Sequence, residues 1–209
     1  MIVYVETNFL LELAYMQESY ESCQEILRLA GSRSISLVLP ACCITESYLT
    51  WHRKNTERQQ FHTQLQAYLA ELSRSAPNRG LADQYREAMA ALIAGSDESR
   101  DRLLAAIASV GADGEMIPVT TSTMLMVGLH EDAHSLSPQD ALVLASVKSH
   151  SETRAGRKCF VTKDRNFARK CKESAELSVD QCDVLNDFAH ALSYIKSALD
   201  NGGRTEVIE

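Results

Sequence analysis

Two short apolar runs, each closed by an acid, constrain this chain more than any other feature. Ile2-Val3-Tyr4-Val5 is β-branched and aromatic, the composition of a buried strand, and it stops at Glu6. Far downstream, Cys159-Phe160-Val161-Thr162 repeats the pattern and ends at Lys163-Asp164. A carboxylate just past a buried strand stands where open α/β sheets place their ligands. Two such strand ends predict a shared acidic pocket, and such a pocket favours a metal ion.

The stretches between them alternate in period. A helix follows strand 2–5 over 8–15, and Tyr20 to Ala30 reads as another, with Cys23, Ile26, Leu27 and Ala30 on one stripe and Gly31 as its stop. Ile35 to Leu39 is a second strand, closed by Pro40. A long helix then starts near Ile44 and runs to about 73, where the segment 75–80 breaks it. Its middle, His52 to Gln60, is polar on every side, which predicts that it leaves the main body. Leu81 to Ala94 reads as a helix stopped by Gly95, and Ser96 as the cap of a further one ending at Gly111. We therefore expect residues 52–113 to form a helical insertion within one domain spanning 1–209. Met116 to Thr120 reads as a strand, Thr123 to His134 as a helix, and Ser137-Pro138-Gln139-Asp140 as the opening of another that reaches about His150. After strand Cys159–Thr162 come a last strand at Glu176–Val179 and a closing helix starting at Asp183, with Leu185, Phe188, Ala189, Leu192, Ile195 and Leu199 on one face. The tail 201–209 is expected to fray. Strands alternating with helices predict an α/β fold, a three-layer α/β/α arrangement around a central parallel sheet.

Composition narrows the setting. At 209 residues and 45% hydrophobic, the chain buries roughly 70% of its unfolded surface without a staple. Six cysteines without C-x-x-C spacing read as reduced thiols of a cytoplasmic protein. The start has no basic n-region, and Glu6 and Glu12 interrupt its apolar stretch, so it does not read as a signal peptide. No 18-residue apolar run is present, so no membrane span is expected. The net charge of −7 argues against a nucleic-acid partner, but nine Lys and Arg against two acids lie between Lys148 and Lys172. A basic segment beside an acidic site is what holding phosphates near a hydrolytic centre requires. A solvated surface would show the same charges.

Glu6, Glu46, Asp140 and Asp164 can project over one sheet edge. Each also has an ordinary explanation. Ser137 as N-cap and Pro138 at N1 put Asp140 at N3, close to a capping box. Asp164 suits an Asx turn, and Glu46 suits the positive end of a helix dipole. An acid directly after a buried strand, such as Glu6, is the hardest to leave unpaired. Two carboxylates ~5 Å apart repel by about 3 kcal/mol at an effective dielectric of 20, so a cluster of them stays ionised only around a cation. Oxygen donors select a hard ion, Mg²⁺ or Mn²⁺.

Together the four acids and their neighbours resemble the PIN-domain nucleases. That family has a strand ending D-T-N, a Glu after the second strand, a helix start L-S-x-x-D-A and a strand ending T-x-D-x-D-F. The counterparts are Val5-Glu6-Thr7-Asn8, Ile44-Thr45-Glu46, Leu136 to Ala141, and Thr162-Lys163-Asp164-Arg165-Asn166-Phe167. The resemblance covers about 1–50 and 116–195 and leaves the helical middle unexplained. It implies metal-dependent endonucleolytic hydrolysis of RNA, leaving a 5′-phosphate. Glu6, Glu46, Asp140 and Asp164 would be the catalytic acids, and Glu6, Asp140 and Asp164 the ligands of Mg²⁺ or Mn²⁺. Asn8, Thr162 and Asn166 would be supporting groups, with Lys163 and Arg165 on the RNA phosphates. It further implies a toxin's place in a toxin–antitoxin pair, with an antitoxin and a second copy of the chain as partners. Two departures stand out: Glu6 replaces the family's first Asp, and Asn166 replaces the second acid of the last motif. Both suit the alternative of a catalytically weak module that binds RNA or protein.

His130-Glu131-Asp132-Ala133-His134 spells the H-E-x-x-H of zinc peptidases, with Asp140 at the offset of a third ligand. The longer motif needs a Gly at position 137 to turn the chain. Ser137 before Pro138 is held extended, so the peptidase is the weaker reading.

Overall fold

The computed structural model describes residues 1–173, 179 and 182–202, with only the backbone at 129–134, 173 and 202. Its element order is β1 (Ile2–Val5), α1 (Thr7–Tyr15), α2 (Tyr20–Gly31), β2 (Ser36–Pro40), α3 (Cys42–Leu72), a 3₁₀ turn (Ala76–Asn78), α4 (Arg79–Asp113), β3 (Glu115–Ile117), α5 (Thr121–His134), α6 (Pro138–Glu152), β4 (Lys158–Val161), α7 (Arg165–Glu173), β5 (Cys182–Leu185) and α8 (Phe188–Gly202). The five strands form one parallel sheet in the order β3-β2-β1-β4-β5. Helices cover both faces, the three-layer α/β/α arrangement the alternation predicts.

β1 lies at the centre. Tyr4 pairs in register with Val38 of β2 and Phe160 of β4, and Val5 with Val161. Successive side chains point to opposite faces. Tyr4 meets His150 of α6, with Tyr4 Oη and His150 Nδ1 3.0 Å apart, so Val3 and Val5 serve the opposite layer. α1 and α8 meet through Phe9 and Phe188, whose ring centroids are 5.7 Å apart. The buried residues of β1, β2 and β4 join these helices in one core. Strands that are apolar on both faces belong in such a sandwich.

The stretch 52–113 is the long arm of α3 and the whole of α4, joined by the turn at 76–78. The last third of α4 returns to the main core through Leu103, Ala106 and Val110. A separate small cluster, Leu69, Ala82 and Met89, holds the far end of the two helices together. At the base, Trp51 Nε1 donates to Ser99 Oγ at 3.2 Å, and Arg58 donates to Ser96 Oγ at 3.0 Å.

Several boundaries differ from expectation. α4 runs unbroken through Gly95 and Ser96, because Ser96 is buried and spends its hydroxyl on Arg58 instead of capping a new helix. A single interior Gly costs about 1 kcal/mol, which these contacts offset. β3 stops at Ile117, before Pro118. Asp183 lies in β5 instead of opening the closing helix. Its place is taken by Asp187, whose Oδ1 accepts from the His190 N–H at 2.8 Å. Residues 176–178 of the expected last strand, and 203–209 of the tail, lie outside the described residues. α7 is a helix that the basic window had concealed. All six cysteines are free. No helix among the described residues is long and apolar enough to cross a membrane.

Candidate active site

The C-terminal ends of β1 and β4 bring the first pair of acids together. Glu6 follows β1 with extended backbone (φ −126°, ψ −170°) and caps α1. Its Oε2 accepts from the Asn8 N–H at 2.9 Å and its Oε1 from Asn8 Nδ2 at 2.8 Å, so the longer side chain folds back as a fork around Asn8. Burial pushes the Glu6 carboxyl up to about 7. The donors of Asn8 and Thr162 oppose that shift, and the nearby charge of Glu46 adds to it. Asp164 caps α7: its Oδ1 accepts from the N–H groups of Asn166 and Phe167 at 2.8 and 2.9 Å. Its own N–H donates to Thr162 Oγ1 at 3.0 Å, which fixes the turn after β4.

Helix starts deliver the other two acids. Glu46, in the second turn of α3, accepts at Oε2 from Thr7 Oγ1 and from Gln139 Nε2, the latter at 3.0 Å. Ser137 caps α6: the Asp140 N–H donates to its Oγ at 3.1 Å, and that hydroxyl donates to Asp140 Oδ2 at 2.7 Å. The cap expected around Asp140 and the Asx turn expected at Asp164 are therefore present, and the same residues face a common space. Glu6, Glu46, Asp140 and Asp164 all line one cleft of about 310 Å³, with Asn8 and Thr162 in its wall.

The cations in that wall differ from those the sequence suggested. Lys163 is drawn away: its ammonium lies 2.6 Å from Oε1 of the buried Glu12 and 3.3 Å from Glu18. Glu12 also accepts from the Ser19 N–H at 2.8 Å, so Lys163 neutralises an interior charge and is not placed to meet a phosphate. Arg165 and Asn166 are exposed on the first turn of α7 and do not line the cleft. Arg53 and Lys54 of α3 do. The Lys54 ammonium is also 4.4 Å from the centre of the Tyr15 ring, a cation–π contact that directs it. Sequence reasoning missed this pair because 52–60 is polar all round. The signal was nevertheless present: 46, 50, 53 and 54 follow the i, i+4, i+7, i+8 spacing of one helix face. Thr7 and Gln139, which hold Glu46, were also missed.

The donor set fits a hard divalent cation in its chemistry. Every candidate is an oxygen, and the buried Glu6 carboxylate is destabilised in a way that a nearby cation relieves. The contacts that fix Glu46, Asp140 and Asp164 fall on one oxygen of each. Among the described residues, however, no three His, Cys, Asp or Glu side chains stand close enough to cage an ion. The acids ring the cleft more widely than a closed metal cage. As for the rival motif, the side chains of His130, Glu131 and His134 lie outside the described residues. The chain turns at Ser135 (φ 52°), Ser137 is extended, and Asp140 belongs to the acidic cleft.

Comparison with known families matches residues 3–167 to a family model described as a PIN domain. No curated protein matches the chain significantly.

Proposed function

The chain belongs to the PIN-domain family, whose members are generally nucleases, and from that premise we propose that it is a metal-dependent endoribonuclease. The observation that carries the reading is the convergence of four acids, from four separate elements, on one cleft that also holds Arg53 and Lys54. Glu6, Asp140 and Asp164 would hold Mg²⁺ or Mn²⁺. The ion, when bound, offsets charge on the scissile phosphate and lowers the pKa of water. Glu46, tethered by Thr7 and Gln139, would orient the attacking water and receive its proton. Asn8 holds the Glu6 carboxylate, and Thr162 holds the turn that presents Asp164. Arg53 and Lys54 take the place first given to Lys163 and Arg165, binding phosphate oxygens of the RNA strand. Hydrolysis would break the P–O3′ bond and leave a 5′-phosphate and a 3′-hydroxyl. The toxin reading adds a protein inhibitor laid over the same cleft.

A second reading, an RNA-binding module with little catalysis, is favoured by the fork of Glu6 around Asn8 and by the width of the acidic ring. One experiment separates the two. Mn²⁺ is titrated into the protein with a mixed RNA pool, and the titration is repeated with Asp140→Asn. The nuclease requires the ion and loses at least about a hundredfold in rate in the variant, the scale of removing a central electrostatic group. RNA retained on the protein without ion-dependent cleavage supports the binding module. Replacing Arg53 and Lys54 by Gln should reduce the salt slope of single-strand binding by about 1.4, at ~0.7 per phosphate contact.

A further inference from the structure

The far end of the α3–α4 hairpin is incomplete as a folded unit. Of the residues from 59 to 94, only Leu69, Ala82 and Met89 are buried. Two helical arms of 14 and 16 residues, each over 20 Å long at 1.5 Å per residue, thus rest on three buried side chains. A helix pair of this length needs an apolar seam along its whole face to stay packed.

That seam is present but only partly closed: Leu65 and Leu72 pack on the small cluster, and the rest faces solvent. On α3, Phe61, Leu65, Tyr68 and Leu72 fall at i, i+4, i+7 and i+11. On α4, Leu81, Tyr85, Ala88 and Leu92 repeat the spacing. This is the a/d pattern of helices that pack on other helices. Phe61 is 58% exposed, Tyr68 71%, Leu81 47%, Tyr85 50% and Leu92 64%. Phe61, Leu65, Tyr68, Leu72 and Tyr85 line one open groove of about 730 Å³ between the helices.

We propose that this face is a homodimer interface, in which the hairpins of two copies pack into a four-helix bundle. Area is the first argument for a second copy. The five exposed side chains present about 600 Å² at ~200 Å² for each whole side chain, against the ~800 Å² per partner of a standard interface. That is the top of the range for the largest apolar patch on a monomer. Charge is the second. The chain carries −7, so two copies repel on average, yet residues 59 to 94 hold three arginines against three acids. A contact through the hairpin end therefore adds no net local charge to that repulsion. Shape is the third. Protruding Tyr and Phe rings beside a groove on the same face suit an isologous two-fold contact, each copy's rings entering the other's groove.

The test is the mass of the full chain in solution, read by light scattering, with Tyr68→Glu and Leu92→Glu as variants. Both residues are exposed, and helix content by circular dichroism monitors folding. The wild type is expected at twice the 23.2 kDa of one chain, and each variant at 23.2 kDa. Photo-oxidative dityrosine coupling of the unaltered protein supplies a second measurement, and interchain links should involve Tyr68 or Tyr85. A wild type that stays monomeric at ~100 μM gives the face to a partner of another kind and overturns the proposal. So does a dimer that survives both substitutions, or coupling that falls only on other tyrosines. RNA cleavage is no part of the readout, so the result is independent of the nuclease reading.

Discussion

Glu6 carries the strongest consequence of any single residue. Its carboxyl, at about 7, binds a proton more tightly in the folded protein than an ordinary carboxyl does in the unfolded chain. The folded state therefore holds the extra proton between the two values, and stability falls as pH rises through that window. In metal-free protein the melting temperature should drop between pH 5 and pH 8, and Glu6→Gln should flatten the drop. Calorimetry in chelator decides this, and an equal slope in wild type and variant would refute it. Gln keeps one acceptor for Asn8 and loses the other, so its net gain at high pH is held to about 1 kcal/mol. The Glu12–Lys163 pair behaves differently. Lys163→Met leaves a buried carboxylate without its cation and should cost about 2 kcal/mol, below the usual cost of breaking a fully buried pair because Lys163 is partly exposed. Adding Glu12→Gln should recover most of that loss in urea melts. An unchanged melt for Lys163→Met alone would show that the pair has no structural role.

At the scale of elements, each acid of the cleft follows a strand or sits near a helix start, and three of the four are tied into helix N-termini. Ser137 with Pro138, and Asp164 ahead of Asn166, are short-range signals, and α6 and the end of β4 were readable from them. Glu6 and Glu46 were readable as acids after apolar strands, and Asn8 beside Glu6 as a supporting group, but the partners of Glu46 were not, because Thr7 and Gln139 are far from it in sequence. Gly95-Ser96 misled because a local cap signal lost to a tertiary contact with Arg58. Asp183 misled because a second Asp, four residues on, does the capping. Arg53 and Lys54 were hidden because a polar helix shows no apolar stripe to say which side faces the body. The junction from α4 to β3 offers a direct check. A Cβ at Gly114 would lie 2.8 Å from the Leu37 carbonyl oxygen and 2.9 Å from that of Val110. Gly114→Ala should thus cost about 1–3 kcal/mol by overpacking, with β3 paired less well against β2. A variant as stable as the wild type in chemical melts would rule out that tight approach.

For the molecule as a whole, the sheet order matters most. β1 is hydrogen-bonded on both sides, by β2 and β4, and Glu6 is the next residue along the chain. The amides of Val3 to Val5 should then exchange for deuterium only when the entire fold opens, while those of the hairpin end exchange by local fraying. Protection of the β1 amides should equal the unfolding free energy from denaturant melts, and faster exchange there would contradict the central placement. The carboxylate of Glu6, a catalytic acid in the function we propose, is anchored to the last part of the protein to come apart, so heat should abolish any chemistry it performs no earlier than it abolishes the fold.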